Sequence, residues 1–178
     1  PNIMDALVRR ISQVAPDEDT VFLNAQHLRW MMQWRQAKER WASYLPQLQG
    51  MKVIVQHSGF DYLLRYAGVE AVLDLEPKPG LPPTPSHLNS VLNSKRLKEA
   101  SIIIISPYQD PQPAQWLSDK SGIPVVTLPT TVTDMDETSS LADLITYILS
   151  KLASDKASEA AFNAVERDRT SRHKDDVE

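Results

Sequence analysis

The chain has 178 residues and a formal net charge of −4, and 42% of its residues are hydrophobic. This length and composition are typical of one globular domain with a substantial core, or of two very small domains. The negative charge and the lack of a long basic run give no support for nucleic acid or an anionic membrane surface as a partner. The absence of cysteine excludes disulfides, thiolate metal sites and cysteine nucleophiles, but it does not fix the compartment.

No apolar stretch approaches the roughly 18 residues of a membrane-spanning helix. The longest unbroken apolar run is Ile102–Ile105. The sequence shows no signal peptide, but it opens on Pro1 and leads directly into a helical pattern. We therefore interpret it as a fragment or a processed chain whose beginning is missing, and in that case the lack of a signal peptide says little about location.

The first third of the chain is predicted to be helical. Apolar residues recur at helical spacing from residue 3 to residue 14, and Ala15-Pro16 ends this first helix. A long helix is predicted to follow and to end near Pro46 and Gly50. Its apolar and aromatic residues alternate steps of four and three, which places them on one face of the helix: Leu23, His27, Trp30, Trp34, Ala37, Trp41, Tyr44 and Leu48. The stripe indicates a helix packed across a core, with His27 as a packing residue.

From residue 51 onward, short apolar strands alternate with helices. Strands are predicted at residues 52–56, 71–75, 101–106 and 124–128, and helices at residues 60–67, 113–121 and 139–154. Between the second and third strands, the proline-rich loop 76–85 leads into a helix with Thr84 as N-cap and Pro85 as its first residue. Four strand–helix repeats predict an α/β fold, a four-stranded parallel sheet flanked by helices and preceded by a long helix.

This pattern divides the chain into three parts. Residues 1–50 form a helical segment, residues 51–153 form the α/β lobe, and residues 154–178 form a charged helical extension or a disordered tail.

Ligands of open parallel sheets bind beyond the carboxyl ends of the strands, and His57 follows the first predicted strand at that edge. A neutral imidazole is a common ligand of zinc and of other divalent first-row metals. On position alone, however, a structural role for His57 is favoured over a ligand role, because a closed site needs about four ligands. His87 falls in the first turn of a predicted helix, and we expect it at the surface.

An enzyme is not expected. The chain has 5 glycines and no G-x-G-x-x-G or P-loop pattern, and it lacks a G-x-S-x-G nucleophile elbow. Two alternatives to a metal-binding protein stay open. One is a small Rossmann-like enzyme, and the other is an α/β interaction module without metal, in which His57 is structural and loop 76–85 is a docking surface.

Several segments of the chain, in order, resemble one protein family. The segments are QLQGMKVIVQHSGFDYLLRYAG, LDLEPKPGLPPTPSHL and ASIIIISPYQDPQPAQWLSDKSGIPVVTLP, together with the long tryptophan-bearing helix before them. From about Pro1 to Ala153 the chain resembles the second half of the zinc/manganese-type solute-binding proteins of bacterial ABC transporters.

The resemblance implies one lobe of a two-lobed metal receptor, whose lobes are joined by a long rigid helix and hold the metal between them. It implies that His57 is a metal ligand and that two further histidines belong to a first lobe, which this chain lacks. The last ligand of the family is an aspartate after the final strand. Pro129 stands there in this chain, so Asp134, or Asp136 beside it, is the candidate substitute. Glu76 is expected to fix its own loop by hydrogen bonds.

The resemblance also implies a function and partners. The chain would belong to the metal-binding receptor of an ABC uptake system for zinc, with manganese as the alternative, in the periplasm or otherwise outside the cytoplasmic membrane. Its partners would be a divalent metal ion, a membrane permease and the missing N-terminal lobe. Because a half-molecule exposes surfaces that normally face the first lobe, a homodimer of the fragment is a further expected partner.

Overall fold

The computed structural model of the chain describes residues 2–78 and 80–156. It divides into two compact units, Pro1–Ala42 and Ser43–Glu178. Within the described ranges, no helix is both long enough and apolar enough to cross a membrane.

The first unit contains helix α1, Asn2–Ser12, and most of helix α2, Asp17–Leu48. Three acidic residues in the first turn of α2 interact favourably with the positive end of the helix dipole. The predicted stripe is confirmed, since all eight of its residues are buried or half-buried. Its aromatic rings contact one another in series, with ring centroids 6.0 Å apart for His27 and Trp30, 5.5 Å for Trp30 and Trp34, and 5.1 Å for Trp34 and Trp41.

The apolar residues that predicted α1 do not form a buried face. Ile3 is 84% exposed and Val14 is 82% exposed, whereas Val8 is buried. Helical spacing predicts a helix correctly, but it does not say which surface covers the apolar side. Several large apolar side chains of this unit face solvent, and we call them the exposed apolar residues of the first unit: Ile3, Leu7, Ile11, Val14, Val21, Phe22, Leu28 and Met32.

The second unit is built on a parallel sheet. Its strands are β1 (Lys52–Val55), β2 (Glu70–Asp74), β3 (Ile102–Ile105) and β4 (Val125–Thr127), and their order in the sheet is β2-β1-β3-β4. All neighbouring pairs are parallel. The predicted four-stranded parallel sheet is therefore confirmed, and the carboxyl ends of its strands share one edge.

Helices follow each strand. They are α3 (Asp61–Ala67), α4 (Pro85–Leu92), α5 (Gln112–Ser121) and α6, which is described over residues 141–156. Short 3-10 turns occur at Ser58–Phe60, Lys95–Glu99 and Asp136–Thr138. Glycines in the left-handed region end α3 and α5, as expected from their lack of a side chain.

Both faces of the sheet are covered. Ile54, Ile103 and Ile105 pack with buried residues of α4 and α5 on one face. The alternate strand residues Val53, Val55, Ile102 and Ile104 are equally buried, so they face the opposite side. A continuous run of isoleucines in β3 suits a central strand that is buried on both faces.

Candidate metal centre

The loops after β1 and β2 meet because these two strands are neighbours in the sheet. His57 follows β1 with extended backbone angles, φ −147° and ψ 148°, and the chain then turns through Ser58–Phe60 into α3. Glu76 follows β2. The carboxyl edge of the sheet thus brings the two side chains together, as the general rule for parallel sheets requires.

Glu76 fixes the imidazole of His57. The distance from Nδ1 of His57 to Oε2 of Glu76 is 2.9 Å. Because an ionised carboxylate only accepts hydrogen bonds, Nδ1 carries a proton and donates it. In the neutral ring the lone pair then lies on Nε2, for which no hydrogen-bond partner occurs among the described residues. His57 retains 34% side-chain exposure, whereas Glu76 retains 13%. A histidine held by a carboxylate through one nitrogen and accessible at the other has the arrangement that metal-binding histidines show.

Glu76 is itself held in place by the backbone around it. The N–H of Gly80 donates to Oε2 of Glu76 at 2.8 Å, so the carboxylate closes the start of the proline-rich loop. The N–H of Glu76 donates to Oδ1 of Asp74 at 2.9 Å. The expectation that Glu76 ties down its loop is confirmed. Its contact with His57 is a second role that the sequence did not indicate.

Asp74 is a half-buried carboxylate beside this pair. Burial raises its pKa above the ordinary value, and the nearby Glu76 and Asp61 carboxylates add to this effect. The hydrogen bond from the Glu76 backbone and the charge of His57 act in the opposite direction and only partly offset the increase in pKa.

His87 is not at the surface, and that expectation is corrected. Its ring is half-buried, and its Nε2 lies 2.9 Å from the carbonyl oxygen of Asp74. Thr84 caps α4 as predicted, and its Oγ1 accepts a hydrogen bond from the backbone N–H of His87 at 3.3 Å. The position of His87 in the first turn of α4 did not indicate the direction of its ring. It also did not indicate that the end of β2 lies within hydrogen-bond distance of that ring.

A buried glutamine joins the first and third loops. Gln56, only 3% exposed, donates through Nε2 to the carbonyl oxygen of Asp110 at 3.0 Å. In the same loop Gln109 accepts from the N–H of Ser106 at 2.7 Å. Gln56 precedes His57 directly, so this bond supports the backbone from which the imidazole extends. The sequence alone does not indicate this role of Gln56, because it depends on a loop 54 residues away.

Asp134 lies in the loop between β4 and α6 and is exposed. The loop closes on itself, because the N–H of Thr133 donates to the carbonyl oxygen of Thr138 at 3.1 Å and the two threonine hydroxyls share a hydrogen bond. No hydrogen bond or ion pair joins Asp134 to His57 in the part of the chain described. Over residues 2–78 and 80–156, no three His, Cys, Asp or Glu residues are grouped so that they could hold a metal ion. The ligand roles of His57 and Asp134 stay predictions.

The family of the chain follows from a match that covers most of its length. A family model described as "Zinc-uptake complex component A periplasmic" (ZnuA) matches residues 2–155. The chain belongs to this family. The ZnuA family consists of solute-binding receptors of the periplasm and is not a class of enzymes, which confirms the resemblance noted in the sequence.

Solved structures share the fold at low sequence identity. One is a crystal structure of ZnuA, with a TM-score of 0.69 and 14% identity over 84% of this chain and 55% of that one. Another is the solute-binding protein FpvC of Pseudomonas aeruginosa in complex with Mn²⁺, with a TM-score of 0.62 and 18% identity over 85% and 57%. A third is the Cd-bound periplasmic metal-binding protein of Candidatus Liberibacter asiaticus, with a TM-score of 0.63 and 13% identity over 86% and 58%.

The chain therefore spans somewhat more than half the length of these structures. No curated protein matches the sequence.

Proposed function

We propose that this chain is the metal-binding part of a receptor for an ABC uptake system and that it binds its cargo through Nε2 of His57. The observation that carries the proposal is the 2.9 Å contact between Nδ1 of His57 and Glu76. It leaves Nε2 as a lone-pair donor on a half-buried ring at the ligand-binding edge of the sheet. Membership of the ZnuA family supports the same function.

Zinc is the proposed cargo and manganese the alternative. The one donor that the structure supports is an imidazole nitrogen, which suits zinc, whereas manganese favours a shell of oxygen ligands. The related structures include complexes with manganese, nickel and cadmium, so a ligand set of this fold accommodates more than one divalent ion. Asp134 is proposed as an oxygen donor.

The remaining donors are proposed to come from an N-terminal lobe outside this chain. Two observations support this. The described residues offer no group of three donors, and the related structures extend well beyond the part that this chain matches. We propose that the exposed apolar residues of the first unit contact that lobe, and that in its absence two copies of the chain associate through them. The proposed parts are residues 1–50, 51–153 and 154–178, of which residues 157–178 lie outside the described range.

ZnuA-type receptors are periplasmic as a family, and we propose the same location for this protein. In that compartment it would deliver its ion to a membrane permease of the same uptake system.

Equilibrium dialysis of the chain against Zn²⁺ and Mn²⁺ up to millimolar concentration tests this function. Weak zinc binding is expected, because the chain carries only part of the coordination shell. His57→Ala should weaken it strongly. His27→Gln is the matched control, because it also removes an imidazole but one that is already bonded to Asp5 at 2.7 Å. Zinc binding that is absent in the wild-type chain, or unchanged in His57→Ala, would overturn the proposal.

A further inference from the structure

His87 lies outside the contact between His57 and Glu76, yet it holds the backbone from which Glu76 extends. We propose that His87 is a positioning residue of the metal site: by anchoring the end of β2, it keeps the Glu76 carboxylate where it fixes the proton of His57 on Nδ1. This inference rests on the proposed function of His57 for its biological meaning, but the link between His87 and His57 can be measured without metal.

The hydrogen bond between His87 and the carbonyl of Asp74 joins α4 to the end of β2. The carbonyl oxygen of Asp74 can only accept, so Nε2 of His87, 2.9 Å away, must carry a proton and donate it. The ring reaches this point from the first turn of α4, which the Thr84 cap and a backbone bond from Leu88 to Thr84 at 2.9 Å hold in place. Leu88 is part of the buried core. The donor, Nε2 of His87, therefore lies on a helix that the core holds in place. The acceptor, the carbonyl oxygen of Asp74, lies at the end of β2, which this hydrogen bond fixes.

Residues 74–76 connect β2 to the proline-rich loop. A backbone group of each of these three residues makes a hydrogen bond. The carbonyl oxygen of Asp74 accepts from His87, the N–H of Leu75 donates to the carbonyl oxygen of Val55 at 2.9 Å, and the N–H of Glu76 donates to Oδ1 of Asp74. Without His87, a half-buried carbonyl loses its partner, only the bond from Leu75 to Val55 still holds this peptide, and the backbone that carries Glu76 is less constrained.

The position of the Glu76 carboxylate decides which ring nitrogen of His57 carries the proton. A neutral imidazole carries one proton, and the hydrogen bond made by one nitrogen decides which nitrogen keeps it. Glu76 accepts from Nδ1, so Nε2 is free to bind a metal ion. If Glu76 moves away, the proton can shift to Nε2, as it does in much of a free imidazole, and it then blocks the nitrogen that would bind the metal. His87 thus affects the metal site through the tautomer of His57 and touches no metal itself.

Ring ¹⁵N NMR of the metal-free chain at about pH 8, where an ordinary imidazole is neutral, tests this. In the wild-type chain His57 should carry its proton on Nδ1 and His87 on Nε2. His87→Phe, which removes the donor, should move the proton of His57 largely to Nε2 and weaken zinc binding about 10–100-fold. His87→Gln, whose amide N–H can still donate, should restore the wild-type tautomer. Ser86→Ala, on the exposed side of the same turn, is the control and should change neither readout.

An unchanged His57 tautomer in folded His87→Phe would overturn the inference. A wild-type His87 that lacks a proton on Nε2 would do so as well, and that measurement needs no variant. If the tautomer responds as expected but zinc does not bind through His57, the proposed function fails while the link between the two histidines stands.

Discussion

Glu76 accepts a hydrogen bond from Nδ1 of His57 at 2.9 Å, although the two residues are 19 positions apart in the sequence. The strands that precede them pair in parallel, so their carboxyl ends bring the two loops together. Since Glu76 is less exposed than His57, the carboxylate forms the inner part of the pair and the imidazole the outer part. This order suits a ring that binds an ion from solvent and is oriented from within the protein.

The charge of Glu76 should matter more for metal binding than for stability. Glu76→Gln keeps an amide oxygen that can accept from both His57 and Gly80, but it removes the negative charge that strengthens the hydrogen bond from Nδ1 of His57. We expect zinc affinity to fall about 10–100-fold, because the group that orients the ligand is weakened. Competition with a zinc-binding dye measures this. Glu70→Gln is the control, because this exposed carboxylate on β2 pairs with Arg96 instead. If both variants bind zinc with an affinity within about twofold of that of the wild-type chain, the role of Glu76 is contradicted.

Asp74 should make stability depend on pH. Burial raises its pKa in the folded chain above the value of an unfolded one. Between these two pKa values the folded state binds more protons, so the free energy of unfolding falls as pH rises through that window and stays lower above it. Asp74→Asn keeps Oδ1 as the acceptor for the N–H of Glu76 but removes this penalty.

We therefore expect Asp74→Asn to be more stable than the wild-type chain at neutral pH. Its advantage should shrink as pH falls toward 3.8, the ordinary value for this carboxyl group. Urea unfolding at a series of pH values measures the difference. The exposed Asp134 provides the control variant Asp134→Asn, which should track the wild-type chain. An advantage of Asp74→Asn that grows on acidification would show that the sign is wrong.

Asp134 and His57 should act on the same ion if both are ligands. Each single variant, His57→Ala or Asp134→Ala, should weaken zinc binding, and the double variant should lose less than the sum of the two. A coupling free energy of about 0.5–3 kcal/mol is typical of groups that share a partner. Titration calorimetry on the four proteins of the cycle measures it, with Glu137→Ala as the control for a neighbouring exposed acid. Zinc binding by Asp134→Ala equal to that of Glu137→Ala would remove Asp134 from the site.

The cap of α4 should support both stability and the site. Thr84→Ala removes the acceptor for the N–H of His87, and loss of such a cap costs about 1 kcal/mol. Chemical unfolding should show this decrease, and hydrogen exchange should speed up in the first turn of α4. Ser86→Ala tests whether any small change in that turn has the same effect. Equal stability of Thr84→Ala and Ser86→Ala would mean that the cap contributes little.

Local sequence signals predicted those features of the fold that depend on neighbours along the chain. The run of four isoleucines predicted a buried strand, and Thr84 followed by Pro85 predicted the start of α4, because both signals act within a few residues. The stripe on α2 predicted its less exposed side for the same reason.

The site depended on contacts that no local signal carries. His57 was identified from its position after a strand, but its partner could be known only once β1 and β2 were neighbours in the sheet. His87 was expected at the surface, because helical position says nothing about a carbonyl 13 residues earlier in the chain. The exposure of Ile3 and Val14 likewise depends on what lies beside α1, which spacing along a helix does not specify.

We propose that the chain binds zinc through Nε2 of His57 while Nδ1 keeps its proton for Glu76. Ring ¹⁵N NMR of the wild-type chain during addition of Zn²⁺ observes both nitrogens in one experiment. We predict that the Nε2 resonance of His57 moves to the position of a metal-bound nitrogen while its Nδ1 stays protonated. A His57 ring whose resonances do not change at millimolar zinc, or whose Nδ1 binds the metal instead, would contradict the account.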